Sequence, residues 1–200
     1  MCSTVAKVSL AVLTGCWLGT PASAGVQVVA RTETYAVAGE TGAALVEAMD
    51  RQGPRHGFMT RAIAQTRYTV DWQIQVGQSD KGCRVVGATG TLNLTYTFPR
   101  VATPMKAALG ARWKRFLAGV RKHEQTHGRI ARDMVVAASK AAQGVTLATD
   151  PSCAGARREA KRRIDAVYAR YEAMQVAFDA REHREGGPVE RLVAALMRER

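Results

Sequence analysis

The sequence predicts an α+β fold, with a small antiparallel sheet followed by a long helix and a second packed helix. Two segments alternate apolar and polar residues as half-buried strands do, and after them the apolar residues recur at helical spacing. The alternating apolar residues are Tyr68, Val70, Trp72, Ile74 and Val76, and then Leu92, Leu94, Tyr96 and Phe98. The chain has 200 residues, of which 46% are hydrophobic, so it is long and apolar enough to bury one core.

The two alternating segments are predicted to pair with each other. The turn-rich stretch GQSDKG at 77–82 separates them, which favours an antiparallel hairpin. Upstream, residues 25–38 are expected to form one or two short strands, and 39–49 a small helix. The strands at 25–38 and the two alternating segments together form the predicted sheet.

A long helix is predicted to follow Thr103 and Pro104, which suit the N-cap and the first helical position. Its apolar stripe consists of Leu109, Trp113, Phe116, Leu117, Val120, Ile130 and Met134. Gly144 is a suitable stop. A second helix is expected to begin after Asp150-Pro151-Ser152 and to end before Gly186-Gly187, which leaves 186–200 as a short, charged helical tail.

Residues 1–24 are interpreted as a signal peptide. Lys7 precedes an apolar run at 8–18, and Ala22-Ser23-Ala24 supplies a small-residue cleavage site. A membrane-spanning helix needs about 20 apolar residues, which is longer than this run. The second choice is a lipoprotein, because Leu13-Thr14-Gly15-Cys16 resembles a lipobox that would make Cys16 the lipidated residue. The expected location is therefore the periplasm or the outside of the cell.

Cleavage after Ala24 leaves Cys83 and Cys153 as the cysteines of the mature chain. In an oxidising compartment an even pair of cysteines favours one disulfide. The alternative is two separate buried thiols.

The formal net charge is +12, which suits anionic partners such as components of the cell envelope. The densest basic cluster, at 157–163, has no aromatic residue among its charges. We interpret this cluster as a solvated helix face and expect no nucleic-acid partner.

The segment His123-Glu124-Gln125-Thr126-His127 contains the pattern H-E-x-x-H on the long helix. Histidines four residues apart share one helix face, and these two continue the apolar stripe between Val120 and Ile130. The pattern predicts a zinc ion bound by His123 and His127, with Glu124 as the general base that activates water. The alternative is a pair of core histidines bonded to backbone or carboxylate groups.

A catalytic zinc site needs a third protein ligand, and several residues qualify. His183, just past the second helix, is the favoured candidate. Asp133 is the alternative, because it stands where an extended form of the motif has its third ligand. An uninterrupted helix would point Asp133 away from the metal. The acids of the second helix remain open as well: Glu159, Asp165, Glu172 and Asp179.

The chain resembles a bacterial family of predicted secreted zinc-dependent proteases. The resemblance is carried by Tyr35-Ala36-Val37, Gly53-Pro54, Arg112-Trp113, the H-E-x-x-H segment, both cysteines and the stretch 178–183. It implies a zincin-like metalloprotease domain at 25–185, a Cys83–Cys153 disulfide joining the strands to the second helix, and a place for His183 in the site. The chain departs from the family at Glu182 and at Arg184, where the family has Gly.

The expected function is that of an exported zinc peptidase acting on proteins or peptides. A cell-wall peptide hydrolase is one alternative. A non-catalytic binding or scaffold protein of the envelope that retains the zinc site is another.

Overall fold

The computed structural model describes residues 25–56, 60–80 and 82–198, so the expected signal peptide and Cys16 lie outside the described residues. The fold is α+β, as predicted, and the described residues form a four-stranded sheet, a two-stranded sheet and four helices. Its elements in chain order are β1 (Val26–Val37), α1 (Gly42–Gln52), β2 (Arg55–His56), β3 (Thr60–Arg61), β4 (Gln65–Ser79), β5 (Gly82–Val101), α2 (Ala107–Ala142), β6 (Thr146–Leu147), α3 (Ala154–Glu182) and α4 (Pro188–Met197).

The main sheet has the strand order β1-β5-β4, with β5 in the centre. The predicted antiparallel pair is confirmed, since β4 runs against β5 with Tyr68 opposite Leu94. β1, however, runs parallel to β5, with Ala30 opposite Leu94, so the sheet is mixed rather than wholly antiparallel. A parallel pair needs a long crossover connection. Here α1 and the small β2-β3 hairpin lie between β1 and the rest of the sheet and provide that length.

The long helix α2 spans 36 residues and continues through both Gly110 and Gly128. It begins at Ala107, a few residues later than Thr103 and Pro104 predict, and it ends before Gly144, which has a positive φ of 74°. At 1.5 Å per residue its length is about 54 Å. Within the described ranges no helix, α2 included, is both long and apolar enough to cross a membrane.

The core consists of two clusters that meet along α2. One lies between the inner face of the sheet, the C-terminal half of α2 and α3, and it includes Leu92, Leu94 and Val135. The other lies between α1, the N-terminal half of α2 and α4. Val120 belongs to the second cluster and Ala131 to the first, so the H-E-x-x-H segment sits between the two.

The disulfide is confirmed: Cys83 at the start of β5 bonds to Cys153 at the start of α3, with their Cα atoms 5.4 Å apart. The two cysteines are 70 residues apart in sequence, and the segment between them includes all of α2. In the chain-entropy description, closing a loop of that length stabilises the fold by about 4 kcal/mol. The bond therefore ties the beginning of α3 to the sheet.

The segment expected to be a tail forms α4 and packs into the core. Leu196 is 1% exposed, and Leu192 contacts α2 at Gly119. Gly42 leaves room for this packing, because a Cβ there would lie 2.1 Å from the carbonyl oxygen of Leu196. That same oxygen accepts a hydrogen bond from Arg112 Nε at 3.3 Å. α4 thereby holds the chain that follows α3 against α1 and α2.

We expect Leu196→Ala to lower the free energy of unfolding by about 2–5 kcal/mol, because it empties a fully buried site. The matched control is Met197→Ala, since Met197 is the next residue on α4 and is 41% exposed. Urea denaturation of the two variants measures both changes. An equal, small effect of the two substitutions would show that α4 contributes little to the fold.

Candidate metal centre

Two adjacent faces of α2 carry the residues of the H-E-x-x-H segment. Consecutive residues of a helix are rotated by about 100°, so His123 and His127 share one face while Glu124 and Gly128 share the next. The histidines face α3, where Asp179 and Gln175 contact them. Glu124 and Gly128 face the sheet, where they contact Thr66 and Tyr96.

Three side-chain atoms converge between α2 and α3. The Nε2 atoms of His123 and His127 are 3.2 Å apart, and Asp179 Oδ1 lies 3.3 Å from the first and 2.9 Å from the second. Ligand atoms at 2.0–2.1 Å around a tetrahedral zinc ion lie about 3.3–3.4 Å from one another. The donor set and its spacing are therefore compatible with a bound metal ion.

His183 lies at the edge of this cluster. Its Nε2 atom is 3.9 Å from Asp179 Oδ1, and its ring centroid is 5.3 Å from that of His123. The ligand atoms of His123, Asp179 and His183 all lie within 4.8 Å of one another, so this group could also hold a metal ion. His183 is 56% exposed at the C-cap of α3. Its role as the third ligand stays a prediction.

Asp133, Glu159 and Asp165, also considered as ligands, are directed elsewhere. Asp133 is exposed on α2, which is unbroken at that point. On α3, Glu159 pairs with Arg162 and Arg163, and Asp165 pairs with Lys161. Among the second-helix acids considered from the sequence, Asp179 is the one that contacts both histidines of the motif.

Gln175 fixes the orientation of His127 and was missed from the sequence. Its side chain is 8% exposed, its Oε1 lies 2.6 Å from His127 Nδ1, and its Nε2 donates to the carbonyl oxygen of His127 at 3.2 Å. With the proton held on Nδ1, the Nε2 lone pair of His127 is directed at the cluster. Gln175, Asp179 and His183 recur every four residues on α3, and this spacing was the available signal.

His123 is held by packing more than by hydrogen bonds. Its side chain is 9% exposed, and the ring of Phe178 stacks on it with centroids 4.9 Å apart. In the described part of the chain, His123 Nδ1 is buried without a hydrogen-bond partner, and Glu182 Oε2 is 3.8 Å from it. Glu182 thus lies on the side of the ring away from Asp179, where a carboxylate orients a metal-binding histidine.

The cluster keeps a carboxylate charged beside imidazoles. Burial alone would raise the pKa of Asp179, but hydrogen bonds and opposite charge from His123 and His127 outweigh it and hold that pKa well below its usual range. For His127, burial opposes the charged form, yet Asp179 and Gln175 raise its pKa. Burial and the neighbouring His123 lower the pKa of His183, which favours its neutral, metal-binding form.

Glu124 is 6% exposed and is held from the sheet side by Thr66 of β4. Thr66 Oγ1 lies 2.6 Å from Glu124 Oε2 and 3.0 Å from the backbone oxygen of Glu124. Oε1 accepts no hydrogen bond from the residues that the structure describes. One carboxylate oxygen of Glu124 is therefore fixed by a hydrogen bond, whereas the other has none among the described residues.

Gly128 allows Tyr96 of β5 to approach the backbone of α2 one turn after Glu124. A Cβ atom at Gly128 would lie 1.9 Å from Tyr96 Oη. Tyr96 is the cross-strand neighbour of Thr66, so the two side chains lie together on the inner face of the sheet. Thr66 and Tyr96 thus fix the distance between α2 and the sheet at this point.

Residues 32–187 match the model of a family described as "Bacterial protein of unknown function (DUF922)". The match covers most of the chain and includes the whole cluster, so the chain belongs to this family. Comparison with curated proteins and with solved structures found no match.

We expect Gly128→Ala to destabilise the fold by about 1–3 kcal/mol, because the new methyl group forces Tyr96 or α2 to move. Gly110→Ala is the control: the same substitution in the same helix has nothing within 4 Å, so it should stabilise by up to about 1 kcal/mol. Thermal denaturation measures both. Tyr96→Phe combined with Gly128→Ala should recover part of the loss, and no recovery would contradict the contact as its cause.

We expect Asp179→Asn to weaken the affinity for Zn²⁺ at least about tenfold, since it removes the charge of a candidate ligand. Asp133→Asn removes the same charge from an exposed part of α2 and should leave the affinity unchanged. Titration of the metal-free protein with Zn²⁺ against a competing chelator measures this. His183→Ala in the same assay tests His183, and a loss in that variant with none in Asp179→Asn would assign the third ligand to His183.

Proposed function

We propose that this member of the DUF922 family is a zinc-dependent peptidase that hydrolyses peptide bonds in proteins or peptides outside the cytoplasm. One observation carries the proposal: His123, His127 and Asp179 converge on one point, and the carboxylate of Glu124 follows His123 directly on α2. Two imidazoles and a carboxylate are a common ligand set of catalytic zinc. A zincin-like arrangement of this kind fits the resemblance that the sequence suggests.

Zinc is the metal that the donor set favours, because imidazole nitrogen and one carboxylate oxygen suit it better than Ca²⁺ or Mg²⁺. When bound, it would lower the pKa of a water molecule to about 7 and polarise the scissile carbonyl. His123, His127 and Asp179 would hold it. Three protein ligands leave a coordination position open for water, which is typical of a catalytic site and not of a structural one.

Glu124 is the general base in this proposal. Its free oxygen accepts the proton of the attacking water and then delivers it to the nitrogen of the departing amine, so that one carboxylate serves both steps. Thr66 supports this role by holding Oε2, because a fixed carboxylate keeps Oε1 directed at one point. The burial of Glu124 supports it further, since water that is not reacting is kept away from the proton.

A groove that reaches Thr66, the residue that contacts Glu124, is the feature that we assign to a peptide substrate. The groove has a volume of about 970 Å³, and its walls include Thr66 and Tyr68 of β4 and Glu172 of α3. β4 is an outer strand of the sheet, so the backbone groups on its free side are available to an extended chain. A peptide that pairs with such an edge is held by hydrogen bonds of its backbone. In this proposal its peptide bonds come within reach of Glu124.

The location outside the cytoplasm rests on two features. The Cys83–Cys153 disulfide is compatible with an oxidising compartment. The charged and apolar pattern of residues 1–24 is typical of a signal peptide.

We expect Glu124→Gln to keep the zinc content of the protein while lowering hydrolysis by about 10²–10⁴-fold, because the variant loses the base but no ligand. Glu47→Gln is the matched control, since Glu47 is an exposed acid of α1 in an ion pair with Arg51. Metal analysis and cleavage of a quenched peptide library measure the two properties.

Full hydrolysis by Glu124→Gln would exclude Glu124 as the base. Zinc bound by the natural sequence without cleavage of any peptide would favour a binding or scaffold protein instead.

A further inference from the structure

The outer face of α2 carries a concentrated positive charge, which we name the α2 basic face. Its members are all exposed: Lys114, Arg115, Arg121, Lys122, Arg129, Arg132 and Lys140. Asp133 is the one acid exposed beside them on α2. Counted over the whole helix, α2 has eight basic and two acidic residues, and the second acid, Glu124, is buried against the sheet.

The charges of the α2 basic face are not neutralised within the chain. Across the described ranges none of its seven residues takes part in an ion pair. Arg121 lies over the ring of Phe98, and Arg129 donates to Thr126 Oγ1 at 3.3 Å; neither contact supplies a negative charge.

α3 differs from α2 because several of its basic residues have acidic partners. It has seven basic residues but also five acidic ones, and it places Glu159 against Arg162 and Arg163 and Asp165 against Lys161. Within the α2 basic face, Arg129 and Arg132 are three residues apart, a spacing at which like charges repel on a helix, and a bound anion would relieve this repulsion. The face that lacks internal partners is therefore the better candidate for an external one.

The α2 basic face is long and narrow. From Lys114 to Lys140 it extends about 39 Å along a helix with 1.5 Å per residue. Successive charges lie up to about 12 Å apart along the helix axis, which exceeds the Debye length of about 8 Å at physiological salt, so each part of a bound anion interacts mainly with the basic side chains nearest to it. A small anion would meet only one or two of these side chains, whereas an extended anion would meet most of them.

The apolar content of this face is too low for a membrane surface. Val136, at 36% exposure, is the one large apolar side chain that α2 exposes in the described chain. Helices that lie in a membrane interface bury leucine or aromatic residues beside their basic ones. The α2 basic face has none of these among its exposed side chains.

We propose that the α2 basic face binds a flexible linear polymer, other than a nucleic acid, that carries regularly spaced phosphate or carboxylate groups. The face lies roughly opposite His123 and His127 around α2, since helix positions advance by about 100° per residue. The polymer would therefore hold the protein while the metal cluster and the groove beside β4 stay open. This binding does not depend on catalysis.

The test measures binding of the natural sequence to long-chain inorganic polyphosphate and to poly-glutamate, with vesicles of anionic phospholipid and duplex DNA as further arms. The variant replaces Lys114, Arg115, Lys122 and Lys140 by Gln, which removes four charges while keeping good helix-forming residues. We expect the variant to bind the polymer at least about tenfold more weakly and with a smaller dependence on salt. Free inorganic phosphate at equal phosphate concentration should compete poorly.

The matched control replaces Arg158, Lys161, Arg162 and Arg170 of α3 by Gln, which changes the net charge by the same amount. The control should bind the polymer as the natural sequence does. If the fourfold α2 variant does not fold, the pairs Lys114→Gln with Arg115→Gln and Lys122→Gln with Lys140→Gln are compared with pairs from α3.

Equal losses in the α2 and α3 variants would overturn the proposal in favour of net charge alone. Preferential binding of the natural sequence to the vesicles or to DNA, or binding to neither polymer, would also overturn it. The assays need neither zinc nor hydrolysis, so their outcome is independent of whether the chain is a peptidase.

Discussion

The contact of Asp179 with His123 and His127 determines how α3 lies against α2. A carboxylate and two imidazoles that leave water are costly unless they satisfy one another, and here one oxygen of Asp179 reaches both ring nitrogens. Gln175, one turn earlier on α3, bonds both the ring and the backbone of His127. These contacts fix the rotation of α3 and its position along α2, which apolar packing alone leaves adjustable by fractions of a turn.

The rest of the chain holds both ends of α3 in place for this contact. At its beginning, the disulfide joins Cys153 to β5. At its end, the chain turns at Gly186, which has a positive φ of 63°, and continues into α4, whose Leu196 is buried against α1 and α2. A helix of 29 residues fixed at both ends has little freedom to rotate. The contact of Asp179 with the two histidines near the C-terminal end of α3 therefore depends on residues far from it in space.

Local sequence patterns predicted the elements of this fold because each pattern reflects burial of one face. The alternation in β4 and β5 and the apolar stripe of α2 gave the correct antiparallel pair and the correct long helix. The direction of β1 was not predictable in the same way. A strand with exposed residues on both faces, as β1 has from Val28 to Glu33, carries no pattern that distinguishes parallel from antiparallel pairing.

The same distinction applies to the candidate site: relations within one helix were predictable from the sequence, and relations between two helices were not. The H-E-x-x-H segment predicted His123 and His127 because their relation is set within one helix. The contact of Asp179 depends on how two helices cross, and its sequence signal is no stronger than that of Asp165 or Glu172. The sequence favoured His183 as the third ligand because histidine is rare in the chain, with four in 200 residues. An acid on a charged helix is common. Rarity is a weaker guide than the four-residue spacing of Gln175, Asp179 and His183, which places all three on one face.

Three faces of α2, separated by fixed angles, carry three different groups of residues. The face toward α3 carries His123 and His127, the face toward the sheet carries Glu124 and Gly128, and the face toward solvent carries the basic residues. Rotating the helix by one residue, about 100°, would turn the base toward α3 and an imidazole away from it. Gly128 opposes such a rotation, because any side chain brought to its position would collide with Tyr96. The glycine that directly follows the motif thus keeps the proposed base and ligands in their places, although it contacts neither metal nor substrate in the proposed mechanism.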